Sequence, residues 1–192
     1  MKLQKIKIIS MLIILITSFI IIISINNINK TCDMGNLESV EEEDEYYMSD
    51  EYFMGDDKLT KVIDGLYIGD INDASNLQKL KNENIKYIVN VTADIPIYFQ
   101  KEFNYLRIPI DDHCSANISQ YIQPAVDYID LNIQKGNVFV HCYAGISRSA
   151  SIIIAYLILK KNYTYSDAYN LLKSKRPIIH PNSGFNKILQ NL

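Results

Sequence analysis

Cys142 and Arg148 stand with five residues between them, at the place where an apolar strand gives way to an apolar helix. The stretch reads Val138-Phe139-Val140-His141-Cys142-Tyr143-Ala144-Gly145-Ile146-Ser147-Arg148-Ser149-Ala150. Backbone N–H groups from Tyr143, Ala144, Gly145, Ile146, Ser147 and Arg148 can converge into an anion-binding nest, and the helix that follows adds its positive end. Gly145 permits a tight turn that a Cβ would oppose. Arg148 offers a planar, two-point grip on phosphate oxygens. The same positive field favours the thiolate of Cys142. A thiolate beneath a bound phosphate is a nucleophile aimed at phosphorus. Ser149 can hydrogen-bond the sulfur and ease its later departure, and His141, beside the nucleophile, suits a loop-organising role.

The elements around this loop alternate. Val62-Ile63 and Leu66-Tyr67-Ile68 predict a hairpin about Asp64-Gly65. Asp73 is expected to cap a helix running to about Asn84, with Ala74, Leu77 and Leu80 on one face. Strands are expected over residues 86–91, 105–110 and 138–140. Asn117-Ile118-Ser119 opens an amphipathic helix (Ile122, Val126, Ile129, Ile133) that Gly136 ends. Residues 149–161 predict a buried helix, and two more helices are expected over 165–175 and 182–192. The pattern implies an α/β fold, a mostly parallel central sheet flanked by helices. Ligands in such folds bind where strand ends meet helix starts.

The chain divides by charge. Residues 1–30 carry four Lys and no acid, residues 31–57 eleven Asp/Glu and no base, and residues 58–192 fifteen bases against eleven acids. The overall charge of −3 conceals this split. Ile8 to Ile25 contains eighteen uncharged residues, ten of them Ile. As a helix they would reach about 27 Å, near the hydrocarbon thickness of a bilayer. No small-residue cleavage site follows, so a retained single-pass anchor is favoured over a signal peptide. Three parts are therefore expected: a hydrophobic helical segment over 1–30, a disordered acidic linker over 31–57, and a catalytic domain over 58–192.

Three Cys and three His at unrelated spacings form neither a disulfide framework nor a metal cluster, and they suit a reducing compartment. Cys114 is expected to be a plain surface thiol, and His113 and His180 surface or packing residues. Lys2, Lys5 and Lys7 before the apolar run would place the domain outside the cytosol. Thiolate chemistry on phosphoproteins argues for the cytosolic side, which is the placement expected here. Asn90, Asn117 and Asn162 head glycosylation acceptor triplets that would then stay unmodified.

His141-Cys142-x5-Arg148-Ser149 resembles the signature of the cysteine-dependent protein tyrosine phosphatases, and the full run from His141 to Ala150 looks like their dual-specificity branch. Leu66-Tyr67-Ile68-Gly69 with Asp73-Ala74, Asn90-Val91-Thr92, Ile108-Pro109-Ile110-Asp111-Asp112 and Arg176-Pro177 through Pro181-Asn182 extend the likeness over about 130 residues. The resemblance implies a protein tyrosine phosphatase-like fold and a two-step reaction through a phosphocysteine, with no metal or cofactor. It also implies a general acid on a mobile loop, for which Asp111 and Asp112 are candidates, and family alignment selects Asp112. Tyrosine-specific relatives carry a long pocket-deepening insertion for which residues 58–142 have no room, so phosphoserine and phosphothreonine are expected beside phosphotyrosine. The expected partners are phosphorylated proteins, protein kinases being one candidate class, and a membrane through residues 8–25; no nucleic acid is expected. The alternative function is a catalytically silent phosphoprotein-binding module.

Overall fold

The computed structural model describes residues 58–192. The expected anchor, the acidic linker and Cys32 lie outside the described residues. Among those described, no helix is long and apolar enough to cross a membrane.

Five strands form one sheet: β1 (Thr60–Ile63), β2 (Leu66–Gly69), β3 (Ile85–Asn90), β4 (Asn104–Arg107) and β5 (Asn137–His141). Their spatial order is β1-β2-β5-β3-β4. β1 is antiparallel to β2, and the other neighbours run parallel. The β1–β2 hairpin turns at Asp64-Gly65 as expected, and Gly65 takes a φ of +80°, a conformation that costs glycine little. β5 is central, paired to β2 on one side and β3 on the other. Both its edges are therefore paired, and because Val138 and Val140 are buried in one apolar cluster and Phe139 in another, both its faces are covered too, which accounts for the unbroken apolar run.

Alternation along the strands divides the core. Leu66, Ile68, Val138 and Val140 face one apolar cluster, with the inner sides of α3 (Ser119–Ile133), α4 (Arg148–Lys161), α5 (Tyr165–Lys175) and α6 (Ser183–Leu189). Tyr67, Ile88 and Phe139 face the other, with Ala74 and Leu80 from the short helices α1 (Ile71–Ala74) and α2 (Leu77–Asn82). α4 is buried continuously from Ser149 to Leu157, so the helix that follows the Cys142 loop is anchored in the centre of the domain.

One expected helix is two. Asp70, not Asp73, caps α1: its carboxylate accepts from the N–H groups of Asn72 and Asp73 at 2.8 and 3.1 Å. Asn76 then interrupts the helix and caps α2, accepting from Lys79 N–H at 3.0 Å. Asp73 instead closes the capping box by accepting from Asp70 N–H and pairs with Lys79 at 3.0 Å. Asn and Asp compete with the helix for backbone donors, so either can restart one. The remaining elements fall within a few residues of the expected spans.

Candidate active site

The loop between β5 and α4 carries Cys142 on its floor. The thiol is buried, with its Sγ 3.3 Å from the N–H of Gly145 and 3.2 Å from Ser149 Oγ. Gly145 has a φ of +68°, and a Cβ there would lie 2.8 Å from the carbonyl oxygen of Gly69. Glycine is thus required twice at this position, for conformation and for space.

The loop's carbonyl groups all have partners elsewhere. His141 O accepts from Val91 N–H at 2.8 Å and Tyr143 O from Ile71 N–H at 3.0 Å. Ala144 O and Gly145 O accept from the guanidinium of Arg176 at 3.1 and 2.9 Å. Ile146 O accepts from His180 N–H at 2.9 Å and Ser147 O from Ser151 N–H at 2.9 Å. Cys142 O lies 3.3 Å from Nδ1 of His141. A planar trans peptide places C=O and N–H on opposite sides. With the carbonyls drawn outward, the N–H groups turn toward the space above Cys142. That is an anion-binding nest, and the first-turn N–H groups of α4 continue it.

Ser147 sits at the N-cap position of α4 without capping it. Its hydroxyl donates instead to Asp112 Oδ1 at 2.6 Å. Asn182 Nδ2 donates to the same oxygen at 2.9 Å, and Asn182 N–H donates to Ser147 Oγ at 3.1 Å. Arg148 Nη1 donates to Ile110 O at 3.3 Å. Arg148 Nε lies 3.6 Å from Asp112 Oδ2, within ion-pair range but beyond a hydrogen bond, and it is buried with no hydrogen-bond partner. A buried guanidinium donor without a partner fits an anion that completes the site.

His141 is buried and stacked on Phe139, with centroids 5.6 Å apart. Desolvation pushes its pKa down to about 4, against the smaller opposing influence of the Cys142 carbonyl. It is therefore a neutral imidazole that ties strand to loop. Tyr143 is 58% exposed at the rim, and Ala144 is exposed.

Residues 66–192 match the family described as dual specificity phosphatase, catalytic domain. The chain is 44% identical over 128 residues to human dual specificity protein phosphatase 6, covering 65% of this chain and 34% of the relative. It is 38% identical over 139 residues to Arabidopsis thaliana dual specificity protein phosphatase 1, covering 71% of this chain and 70% of that protein. The chain belongs to the dual specificity phosphatase family. Among solved structures it is similar to that of DUSP15, with a TM-score of 0.67 and 33% identity over 71% of this chain and 87% of the other. The chain spans about a third of the length of the human dual specificity phosphatases it matches.

For this family member, the structure brings Cys142, Gly145, Ser147, Arg148 and Ser149 together with Asp112. Both candidate acids, Asp111 and Asp112, are exposed, and Asp112 is the one bonded to Ser147 and Asn182. His113 and His180 are exposed, as expected. Cys114 departs from expectation: it is half-buried and disulfide-bonded rather than a plain surface thiol. Its carbonyl fills the space a Cβ at Gly184 would need, so the acid loop packs closely on α6. Three residues were given no site role from sequence: Arg176, its ion-pair partner Asp70 at 3.4 Å, and Asn182. Arg176-Pro177 and Asn182 stood in the family-like stretch, a signal that marked the segment without revealing a task.

Proposed function

We propose that residues 58–192 hydrolyse phosphate monoesters on tyrosine, serine and threonine side chains of proteins. The observation that carries this reading is a free, buried thiol faced by the Gly145 N–H, in the same loop as an Arg148 whose buried Nε makes no hydrogen bond. In the first step Cys142 Sγ attacks phosphorus, the S–P bond forms, and the bond to the substrate oxygen breaks. Asp112 gives that oxygen its proton, and the N–H groups and Arg148 hold the three equatorial oxygens. In the second step water attacks phosphorus and gives a proton to Asp112. The S–P bond breaks with its electron pair on sulfur, and the Ser149 hydroxyl steadies the departing thiolate.

The short span before Cys142 supports acceptance of phosphoserine and phosphothreonine beside phosphotyrosine, and protein kinases are one substrate class. The intact set of Cys142, Arg148 and Asp112 disfavours a silent binding module. We also read residues 8–25 as a single-pass anchor, supported by their length and apolarity, with thiolate chemistry favouring the cytosolic side for the domain and the Cys114 disulfide weighing against it.

The test is single-turnover hydrolysis of phosphotyrosine and phosphothreonine peptides, quenched in acid and read by mass spectrometry. A phosphate adduct on Cys142 that forms and decays at the rate of turnover is expected. Phosphate release without that adduct overturns the mechanism, and no release overturns the function. Protease protection in membranes tests the placement, and a glycosidase-sensitive mass shift at Asn117 or Asn162 would reverse it.

A further inference from the structure

The nest depends on where its carbonyl groups point. Those of His141, Tyr143, Ile146 and Ser147 are held by main-chain N–H groups of neighbouring segments. Those of Ala144 and Gly145 are held by a side chain, the guanidinium of Arg176, with Nη2 donating to one and Nε to the other. Each of these carbonyls shares a rigid peptide plane with the next residue's N–H. Fixing Ala144 O outward aims Gly145 N–H inward, and that N–H does face Cys142 Sγ at 3.3 Å. Fixing Gly145 O aims Ile146 N–H in the same way.

Arg176 is itself constrained. It follows α5 as the C-cap residue, with its N–H donating to Leu172 O at 2.9 Å. Its Nη2 pairs with Asp70 Oδ2 at 3.4 Å, and its side chain is 13% exposed. Asp70 is held in turn as the cap of α1, while Ile71 N–H takes the neighbouring Tyr143 carbonyl. The β2–α1 corner and Arg176 therefore clasp three consecutive loop carbonyls from outside.

We propose that Arg176 is a positioning residue: held by Asp70, it aims the Gly145 and Ile146 amides at the phosphate and so sets the loop's oxyanion affinity. It acts on these amides from outside the loop, through the Ala144 and Gly145 carbonyls. The claim deepens the phosphatase reading and rests on it for the identity of the anion, although the geometry concerns any tetrahedral oxyanion. A planar fork is needed to serve two adjacent carbonyls, which a lysine ammonium reproduces only in part.

The test uses the full chain and separates binding from turnover. Inorganic phosphate binding is measured by calorimetry on a Cys142→Ser background with Arg176, Arg176→Lys or Arg176→Met. Hydrolysis of an aryl phosphate is measured with Cys142 present, and melting temperature is followed throughout. Deleting one oxyanion donor costs about 10²–10³ in rate. Misaiming two that remain should cost less, roughly tenfold to a hundredfold, in phosphate affinity and kcat/KM alike. Arg176→Lys should fall between. If Arg176→Met melts early, Arg176→Lys at an unchanged melting temperature decides: weakened phosphate binding upholds the proposal, and wild-type binding overturns it. Wild-type phosphate affinity in a well-folded Arg176→Met also overturns it. Absence of hydrolysis by the unaltered protein would remove the phosphatase reading alone, since the phosphate-binding arm still decides the role of Arg176.

Discussion

The loop from His141 to Ser147 and the candidate acid loop that carries Asp112 meet at Ser147 but are held by different means. From His141 to Ser147, the loop is fixed through its backbone, each carbonyl contacted by a donor from Val91 just after β3, α1, α4, the connection after α5 or the imidazole of His141. The acid loop has local backbone bonds, such as Ala116 N–H to His113 O at 2.9 Å. Its tie across the site runs through side chains: Asp112 to Ser147, Asn182 and Arg148. The contrast follows function. Amides that must stay aimed are fixed by bonds to the backbone, whereas the candidate acid is held against the loop by side-chain contacts.

The comparison breaks most severely if the rigid loop loses its chemistry. Cys142→Ser should abolish turnover while phosphate binding persists, because the amide donors survive and a hydroxyl is too weak a nucleophile there. Arg148→Lys should leave little activity, a point charge being a poor substitute for the planar fork. Steady-state kinetics beside phosphate titration checks both, and substantial turnover by Cys142→Ser would contradict the mechanism.

Next in size is the acid. Asp112→Asn should lower kcat on a phosphoserine peptide by a hundredfold or more, on the order expected for a lost general acid, and far less on an activated aryl phosphate. Asp111→Asn should change either substrate by little. A greater loss from Asp111→Asn on the peptide would reassign the acid.

The unequal anchoring of the two loops explains what could be read in advance. Cys142, Gly145, Arg148 and Ser149 form a local pattern, and strand, loop and helix are contiguous, so composition alone located them. Asp112 needed the family resemblance because two adjacent aspartates look alike until a fold brings one against Ser147 and Asn182. Arg176 and Asp70 escaped because they act on carbonyls, which carry no sequence identity, and they are brought together from 106 residues apart. The split between α1 and α2 escaped for a local reason, Asn76 being as able to cap a helix as to sit in one.

A smaller effect is expected at Asn182, which both caps α6 and donates to Asp112. Asn182→Ser keeps a capping oxygen and removes the amide donor. A hydrogen bond is worth about 0.5–1.5 kcal/mol net, and Ser147 and Arg148 remain to position the carboxyl, so a loss of up to about tenfold on phosphoserine peptide is expected. The aryl phosphate should be spared. Faster peptide hydrolysis in this variant would mean that Asn182 restrains the acid loop instead of positioning it.

The smallest effect concerns the rigid side and is a change in stability. His141 is buried, neutral, and depressed in pKa to about 4 by desolvation, against about 6.5 for an exposed histidine. Between these values the unfolded chain binds a proton that the folded chain refuses. Folded stability contributed by this group is therefore complete above about pH 6.5 and is lost progressively as pH falls toward 4. At about 1.4 kcal/mol per pH unit, acidification from pH 7 to 5 should cost up to about 2 kcal/mol through His141 alone. Other carboxylates titrate over part of the same range, so the informative quantity is a difference. Urea unfolding of the unaltered protein and of His141→Gln, each at pH 7 and pH 5, isolates it. Glutamine retains a donor for the Cys142 carbonyl but cannot charge. His141→Gln should be less stable at pH 7, where it loses the stacking on Phe139, and should lose less stability on acidification. Equal pH dependence of the two proteins would mean that the imidazole accepts its proton in the folded state, and that the strand end tethering the nucleophile is looser than its burial implies.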